Sequence, residues 1–370
     1  MIPVSRPSIG KDELNAVEKI FQSGWLGLGS AVFDFENKMK EYLGVKNVIA
    51  VNTGTTALHL ALDSLGISEG DEVIVPSMTF AASVQVITQT GATPVFCEIK
   101  EDDLNMDIED VKKRITKRTK AVMPVHYCGK SVEMDALIKL SKQHGIKIVE
   151  DAAHAFGSSY DGKKIGSFGD LTCFSFDPIK NITTGEGGAI ALDDDELAEK
   201  IRRKRILGID KDTWHRYKNE RSWFYEVVEQ GYRYHMSNIN AAIGLEQMKK
   251  LDRFISKKRD ITVKYDKAFS AISGLKTLTN DHKNAAQFCY IVRVEDRREA
   301  LIEFLKSKGV GTGIHYIPNH IQPFFKRFST NLPVTEKVAE EILTLPLYYD
   351  MSDEDVRFVI NSIKEFFCAS

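Results

Sequence analysis

The sequence predicts an α/β protein: a large domain on a mostly parallel central sheet, residues 1–250, followed by a smaller α+β domain, residues 251–370. Two observations carry this. Through the first two-thirds of the chain, short β-branched runs alternate with segments of helical apolar spacing, the pattern of βαβ units with helices on both faces of a sheet. After about residue 245 the alternation gives way to a long, charged, amphipathic stretch, which bridges to a shorter set of strands and helices. A length of 370 residues leaves room for both domains.

The elements follow in order. "KDELNAVEKIFQSG" (11–24) has helical spacing and a Gly stop, and is expected to pack near the join between the domains. "NVIAV" (47–51) is a β-branched run. "TTALHLALDSLG" places Ala57, Leu58, Leu60, Ala61 and Leu65 at helical intervals before Gly66. "DEVIVP" is a strand closed by Pro76, and "FAASVQVITQTG" a helix ending at Gly91. "TPVFCEI", "KAVMPVHY" and "KIVEDAA" are strands, with helix "MDALIKLSKQHG" between the last two. "FSFDPIKNITTGEGG" (174–188) opens as a strand and ends as a Thr- and Gly-rich loop. "LEQMKKLDRFISKKRDITVKYDKAFSAI" predicts one long helix. Beyond it lie strand "QFCYIVRV", helix "RREALIEFLKSKG", strand-like "GTGIHYI" and helix "SDEDVRFVINSIKEFF".

Composition narrows the class. A net charge of −2 lacks the basic excess of a nucleic-acid footprint, and the most basic run, "IRRKRILG" (201–208), predicts a solvated helix face. The five cysteines form no CxxC or paired spacing, so neither a disulfide framework nor a zinc site is expected. With no signal peptide or membrane span in the pattern, the expectation is a cytoplasmic protein without a metal.

Three stretches carry chemistry. In "VNTGTTALHLAL" a strand ends and a helix begins. The free amides of a helix N-terminus attract phosphate, Gly54 permits close approach, and Thr55 and Thr56 add hydroxyls. A plain Thr cap accounts for the same residues. "IVEDAAHAFG" delivers Glu150 and Asp151 at the carboxyl end of a strand, where open α/β sheets bind ligands. Asp151 could hold a positive partner there, or cap the next turn. Finally, Ser175 lies in a strand and Lys180 just past it. Lys180 is either a surface residue or a desolvated amine of lowered pKa, the kind that Schiff-base chemistry needs.

"NTGTTALHLAL", "PSMTFAASVQVI", "VEDAAHAFGS", "FSFDPIKNITTGEGGAI" and "GYRYHMSNINAAIGLEQMKKLD", in that order, resemble the DegT/DnrJ/EryC1/StrS sugar aminotransferases along nearly the whole chain. The resemblance implies a fold-type I, aspartate aminotransferase-like enzyme that uses pyridoxal 5′-phosphate, passes through pyridoxamine 5′-phosphate and works as a homodimer with shared active sites. By it, Lys180 is similar to the lysine that bonds the cofactor aldehyde and Asp151 to the carboxylate facing the pyridine nitrogen. Ser175, Gly54 and Thr55 are similar to the phosphate binders, with Thr56 beside them. Phe80 falls where an aromatic covers the ring, and His154 where a polar residue lies near it. Arg233 and His235 occupy the loop that reaches into the partner's site, where relatives often carry Asn or Arg. Trp25, His315, Tyr316 and His320 lie in stretches similar to those lining a sugar-nucleotide pocket.

The implied reaction is a two-stage transfer of an amino group from L-glutamate to a nucleotide-linked keto-deoxysugar, with a 4-keto-6-deoxy sugar expected from the "TTGEGG" loop. A sugar dehydratase is the second reading, although members with that activity carry histidine in place of the lysine. A non-catalytic, cofactor-binding regulator is the third. The identity of the sugar, the nucleotide and the aminated carbon is not written in these motifs.

Overall fold

The structure, a computed structural model, describes residues 1–210 and 225–368. The strands of the first part are β1 (Asn47–Val51), β2 (Glu72–Pro76), β3 (Thr93–Cys97), β4 (Thr119–Val122), β5 (Lys147–Asp151), the hairpin β6 (Ser159–Tyr160) and β7 (Lys163–Lys164), then β8 (Leu171–Ser175) and β9 (Gly188–Leu192). All but the hairpin form one sheet in the order β1-β9-β8-β5-β4-β2-β3. Its neighbours pair in parallel except β9, which is antiparallel to both β1 and β8. Every residue of β1, β2 and β9 is buried, as strands covered on both faces must be.

The antiparallel β9 has a consequence for the site. A parallel successor to β8 would need a long crossover, usually a helix. The connection 176–187 contains no helix, so the chain turns and comes back beside β8 from the same end. Lys180 sits in that turn, which holds it at the carboxyl edge of the sheet.

Helices Gly54–Ser64, Ala81–Gln89 and Met134–His144 lie where periodicity puts them. The last ends on Gly145 at φ 65°, a left-handed position that a side chain would strain. Two further helices, Ser30–Leu43 and Asp195–Lys204, complete the covering layers. The second corrects the reading of the basic run. Lys204 pairs with Asp63 at 2.7 Å, and Arg205, only 2% exposed, bonds Glu36 at 2.5 Å and the Ala50 carbonyl at 2.8 Å. Lys204 and Arg205 are therefore spent on acids from distant helices, whereas Arg202 pairs with Glu199 of its own helix and Arg203 with Glu229, both on the partly exposed side.

The long bridge is two helices, not one: Asn238–Met248 and Leu251–Phe269. Ser237 caps the first, accepting from the Asn240 amide. The break at Lys249–Lys250 turns Gln247 and Lys250 onto the same buried carboxylate, Glu13 of helix Lys11–Ser23, each at 2.7 Å. That contact ties the N-terminal helix to the join.

Beyond the bridge, β10 (Leu275–Thr277), β11 (Tyr290–Val294) and β12 (Ile342–Leu345) make an antiparallel sheet. It packs with Tyr265 and Phe269 of the bridge and with helices Arg298–Ser307 and Asp353–Cys368 around a separate apolar cluster. The stretch "GTGIHYI" is not a strand. Only Gly313 pairs, with Thr344, after which the chain leaves the sheet and carries His315 and Tyr316 toward the other one.

Candidate active site

The carboxyl ends of β1, β2, β5 and β8 meet at one cavity of about 370 Å³. From the first part of the chain Gly54, Thr55, Phe80, Asp151, His154, Ser175 and Lys180 face it, and from the second part His315 and Tyr316. These residues come from seven separate points along the sequence, brought together by the fold.

One wall is a narrow cradle. Helix Gly54–Ser64 starts at Thr53, whose hydroxyl accepts from the Thr56 amide. The amides of Gly54 and Thr55 have no acceptor within the helix. A Cβ on Gly54 would lie 2.7 Å from Ser175 Cβ, so the β8 terminus and the helix start can approach this closely only with glycine there. Thr56 is a correction: its hydroxyl turns inward to Asn52 Oδ1 at 2.8 Å and completes the cap, and it does not face the cavity.

Asp151 ends β5 and is 5% exposed. Ser83 donates to its Oδ2 at 2.7 Å and the Ala153 amide to its Oδ1 at 3.1 Å, with Thr79 in turn 2.8 Å from Ser83. Alternation along the strand turns Glu150 to the opposite side. There His126, Thr172 and the Gly169 amide satisfy it, a structural network remote from the cavity.

Lys180 follows a tight turn in which Asp177 accepts from the Ile179 amide and the Lys180 amide. Its Nζ lies 4.2 Å from the centre of the Phe288 ring. Desolvation pushes the amine below its ordinary pKa, and the carboxylates of Asp151 and Asp177 pull the other way. His154 stacks on the Phe288 ring, with ring centres 4.1 Å apart, and its Nε2 lies 2.9 Å from the Tyr316 hydroxyl. Burial first, then Lys180 and His315, keeps His154 well below the usual imidazole range. Burial and Lys180 likewise push His315 down to about 4. Both rings are therefore neutral at pH 7. His154 Nδ1, though buried, has no hydrogen-bond partner among the described residues.

Phe80 is no core residue. It caps helix Ala81–Gln89, is 59% exposed, and faces the cavity 5.8 Å from the Tyr316 ring. The exposed aromatic, the orphaned His154 nitrogen and the Gly54–Ser175 cradle together fit a flat, phosphate-bearing heteroaromatic group.

Four other expected residues lie outside this cavity. His320 is buried, held by Ser77 at 2.7 Å and Glu336 at 3.1 Å, because the turn Asn319–Ile321 packs against the end of β2. The Trp25 indole donates to the Leu28 carbonyl and lies over Gly29. Arg233 is exposed and His235 half-buried, both in a run that extends the β1 edge through Asn52–Tyr234 and Tyr234–Arg205 backbone bonds. Conversely, Phe288, Ser83, Asp177 and Glu186 belong to the site or its support without having been singled out by motif. Ser83, three residues after Phe80 at a helix start, is the one that spacing could have suggested.

Asn181, next to Lys180, donates to the carbonyls of His154, Phe156 and Ala286, and its own oxygen accepts from Lys258. Lys258 is fully buried, and desolvation pulls its amine down to about 7. Below pH 7 folded and unfolded chains are both protonated and the cost of burying the charge is complete. Between 7 and the ordinary value only the unfolded chain holds the proton, so stability rises with pH. The shift corresponds to a cost on the order of 5 kcal/mol. Melting temperature is thus expected to climb from about pH 7 to 8.5 in the wild type and to climb less in Lys258→Met, as calorimetry across that range will read.

The profile of the DegT/DnrJ/EryC1/StrS aminotransferase family matches residues 7–364. The chain is 42% identical over 375 residues to the spore coat polysaccharide biosynthesis protein SpsC of Bacillus subtilis, covering 98% of this chain and 96% of that protein. Among solved structures, the aminotransferase TlmJ of Streptoalloteichus hindustanus superposes with a TM-score of 0.94 at 35% identity, covering 100% and 99% of the two chains. The sugar aminotransferase Spr1654 of Streptococcus pneumoniae, in its PMP form, does so with 0.94 at 31% identity and full coverage of both. The same protein has also been solved in a PLP form. With the fold, the order of the motifs and the site geometry in agreement, the chain belongs to the DegT/DnrJ/EryC1/StrS aminotransferase family.

Proposed function

We propose that this sugar aminotransferase uses pyridoxal 5′-phosphate to move an amino group from L-glutamate to a nucleotide-linked keto-deoxysugar, a 4-keto-6-deoxy sugar, and that two copies share their sites. The observation that carries the cofactor is the convergence of Lys180, Asp151, the Gly54–Ser175 cradle and the exposed Phe80 on one cavity. The amides of Gly54 and Thr55 and the Ser175 hydroxyl would take the phosphate, Phe80 would lie against the ring, and Asp151 would face its nitrogen. When bound, the cofactor supplies an electron sink for the carbanion at the donor's Cα.

The chain's own residues do the rest. Lys180 Nζ, kept ready to lose its proton by desolvation, takes the proton from the donor's Cα and later returns one, as base and then acid. Ser83 and the Ala153 amide hold Asp151 in one orientation. Neutral His154 and His315 add no positive charge beside Lys180, and His154 fixes the Tyr316 hydroxyl. Support for a sugar acceptor comes from relatives named for spore coat polysaccharide and pseudoaminic acid biosynthesis.

Cofactor-loaded protein is expected to release 2-oxoglutarate from L-glutamate in a single turnover, and then to aminate one member of a panel of nucleotide-linked keto sugars, read by mass spectrometry. No 2-oxoglutarate would refute the aminotransfer from glutamate. Release without any aminated sugar would refute the acceptor class.

A further inference from the structure

Two thiols distant in sequence meet beneath the cavity. Cys128 lies in the turn Tyr127–Gly129 after β4, and Cys289 immediately precedes β11 in the second sheet. Their sulfurs are 3.0 Å apart and both residues are buried. The approach is fixed by backbone rather than by the side chains alone. The Phe288 amide donates to the Cys128 carbonyl at 3.0 Å. Ser158 Oγ donates to the Gly129 carbonyl at 2.6 Å and accepts from the Ala286 amide at 2.9 Å. Gly129 itself lies so close that a Cβ there would come within 2.3 Å of the Ala286 oxygen. Turn 127–129 and segment 286–289 are thus strapped together next to the sulfur pair. Phe288, whose amide makes one of these straps, carries the ring on which both Lys180 Nζ and His154 rest.

We infer that Cys128 and Cys289 are a redox modification site, which a small peroxide closes into a disulfide joining the two sheets across the floor of the cavity. In the reaction one thiol gives up its proton and its thiolate sulfur attacks hydrogen peroxide, breaking the O–O bond to give a sulfenic acid and hydroxide, which takes up that proton to leave as water. The neighbouring sulfur then displaces the sulfenic oxygen, forming the S–S bond, and the displaced hydroxide takes the second thiol proton to leave as water. Two thiols lose two electrons, and one peroxide is reduced to two waters. A disulfide is ~2.05 Å long, so the sulfurs have only about 1 Å to travel. Burial pushes the Cys128 thiol well up, so little thiolate is present and closure is slow. Once a sulfenic acid forms, its partner is already in contact, which favours the disulfide over further oxidation. Cys97 and Cys173 lie in β3 and β8 and Cys368 at the exposed end of the last helix, so a peroxide-treated chain has one pair to close.

The full-length protein is to be treated with hydrogen peroxide, alkylated under denaturing conditions and digested. The expected result is a fall from five alkylatable thiols to three, a peptide linking Cys128 to Cys289, and a higher melting temperature that dithiothreitol reverses. Cys128→Ser is expected to give no linked peptide and no reversible shift, and Cys289→Ser the same. Oxidation confined to Cys368, or sulfinic acid on Cys128 or Cys289 without a linked peptide, overturns the inference. The effect on catalysis rests on the function proposed above: the rate of the glutamate half-reaction should change on oxidation and recover on reduction. The linked peptide stands or falls without it.

Discussion

Lys180→Ala is expected to lower turnover by about 10⁴-fold or more, the combined loss of the nucleophile and of the proton carrier for both half-reactions. Cofactor retention is expected to survive, because the cradle at Gly54 and Ser175, the Asp151 carboxylate and Phe80 are untouched by the change. Folding should not suffer, since the substitution removes a desolvated amine rather than a packed apolar group. Lys180→Arg sharpens the test. It keeps a cation beside Phe288 but cannot give up its proton in the working range, so it should be as inactive as the alanine variant. Steady-state rates with L-glutamate, together with borohydride trapping that fixes cofactor to the wild type and not to the variants, read both expectations. Near-normal transamination by Lys180→Ala would remove Lys180 from the mechanism.

Much of this site was legible because its residues are local punctuation in strong patterns. Lys180 follows a strand of apolar residues and precedes a Gly-rich loop, and Asp151 closes "KIVED". Such positions are marked by where a strand ends, and β1, β5 and β8 do end there. What stayed hidden depends on distance in sequence. Phe288 meets Lys180 only because segment 286–289 is strapped to the turn after β4. The "IRRKRILG" run looked solvated throughout because Glu36 and Asp63, which pair with its Arg205 and Lys204, belong to helices far upstream. His320 was grouped with His315 and Tyr316 because "GIHYIPNH" resembles a pocket-lining stretch, yet it lies in the turn Asn319–Ile321, which sends its ring to Ser77 and Glu336. The bridge reads as one helix because Lys249 and Lys250 are good helix formers. The buried carboxylate of Glu13, to which Gln247 and Lys250 both turn, is invisible in that window.

Asp151→Asn is the second large effect, and it separates charge from shape. The amide fits the same space: its oxygen can accept from the Ala153 amide, while its nitrogen donates to Ser83, whose hydroxyl proton turns to Thr79. The fold and the cavity should therefore persist, and only the negative charge is lost. On the function proposed above, Asp151 would keep the cofactor's ring nitrogen protonated, and turnover of the variant is expected to fall by about 10²- to 10³-fold. Asp151 is also one of two carboxylates that pull the Lys180 pKa upward against desolvation. Its removal should move the Lys180 limb of the pH–rate profile to lower pH. Asp177→Asn provides the comparison. Asp177 raises the same amine and would keep its bond to the Ile179 amide as asparagine, but it lies on the Lys180 turn rather than at the end of β5. It should shift the limb in the same direction with little loss of maximal rate. Were the two variants to lose rate equally, the two carboxylates would be acting through the field at Lys180 alone. Asp151 would then have no separate task at the ring nitrogen.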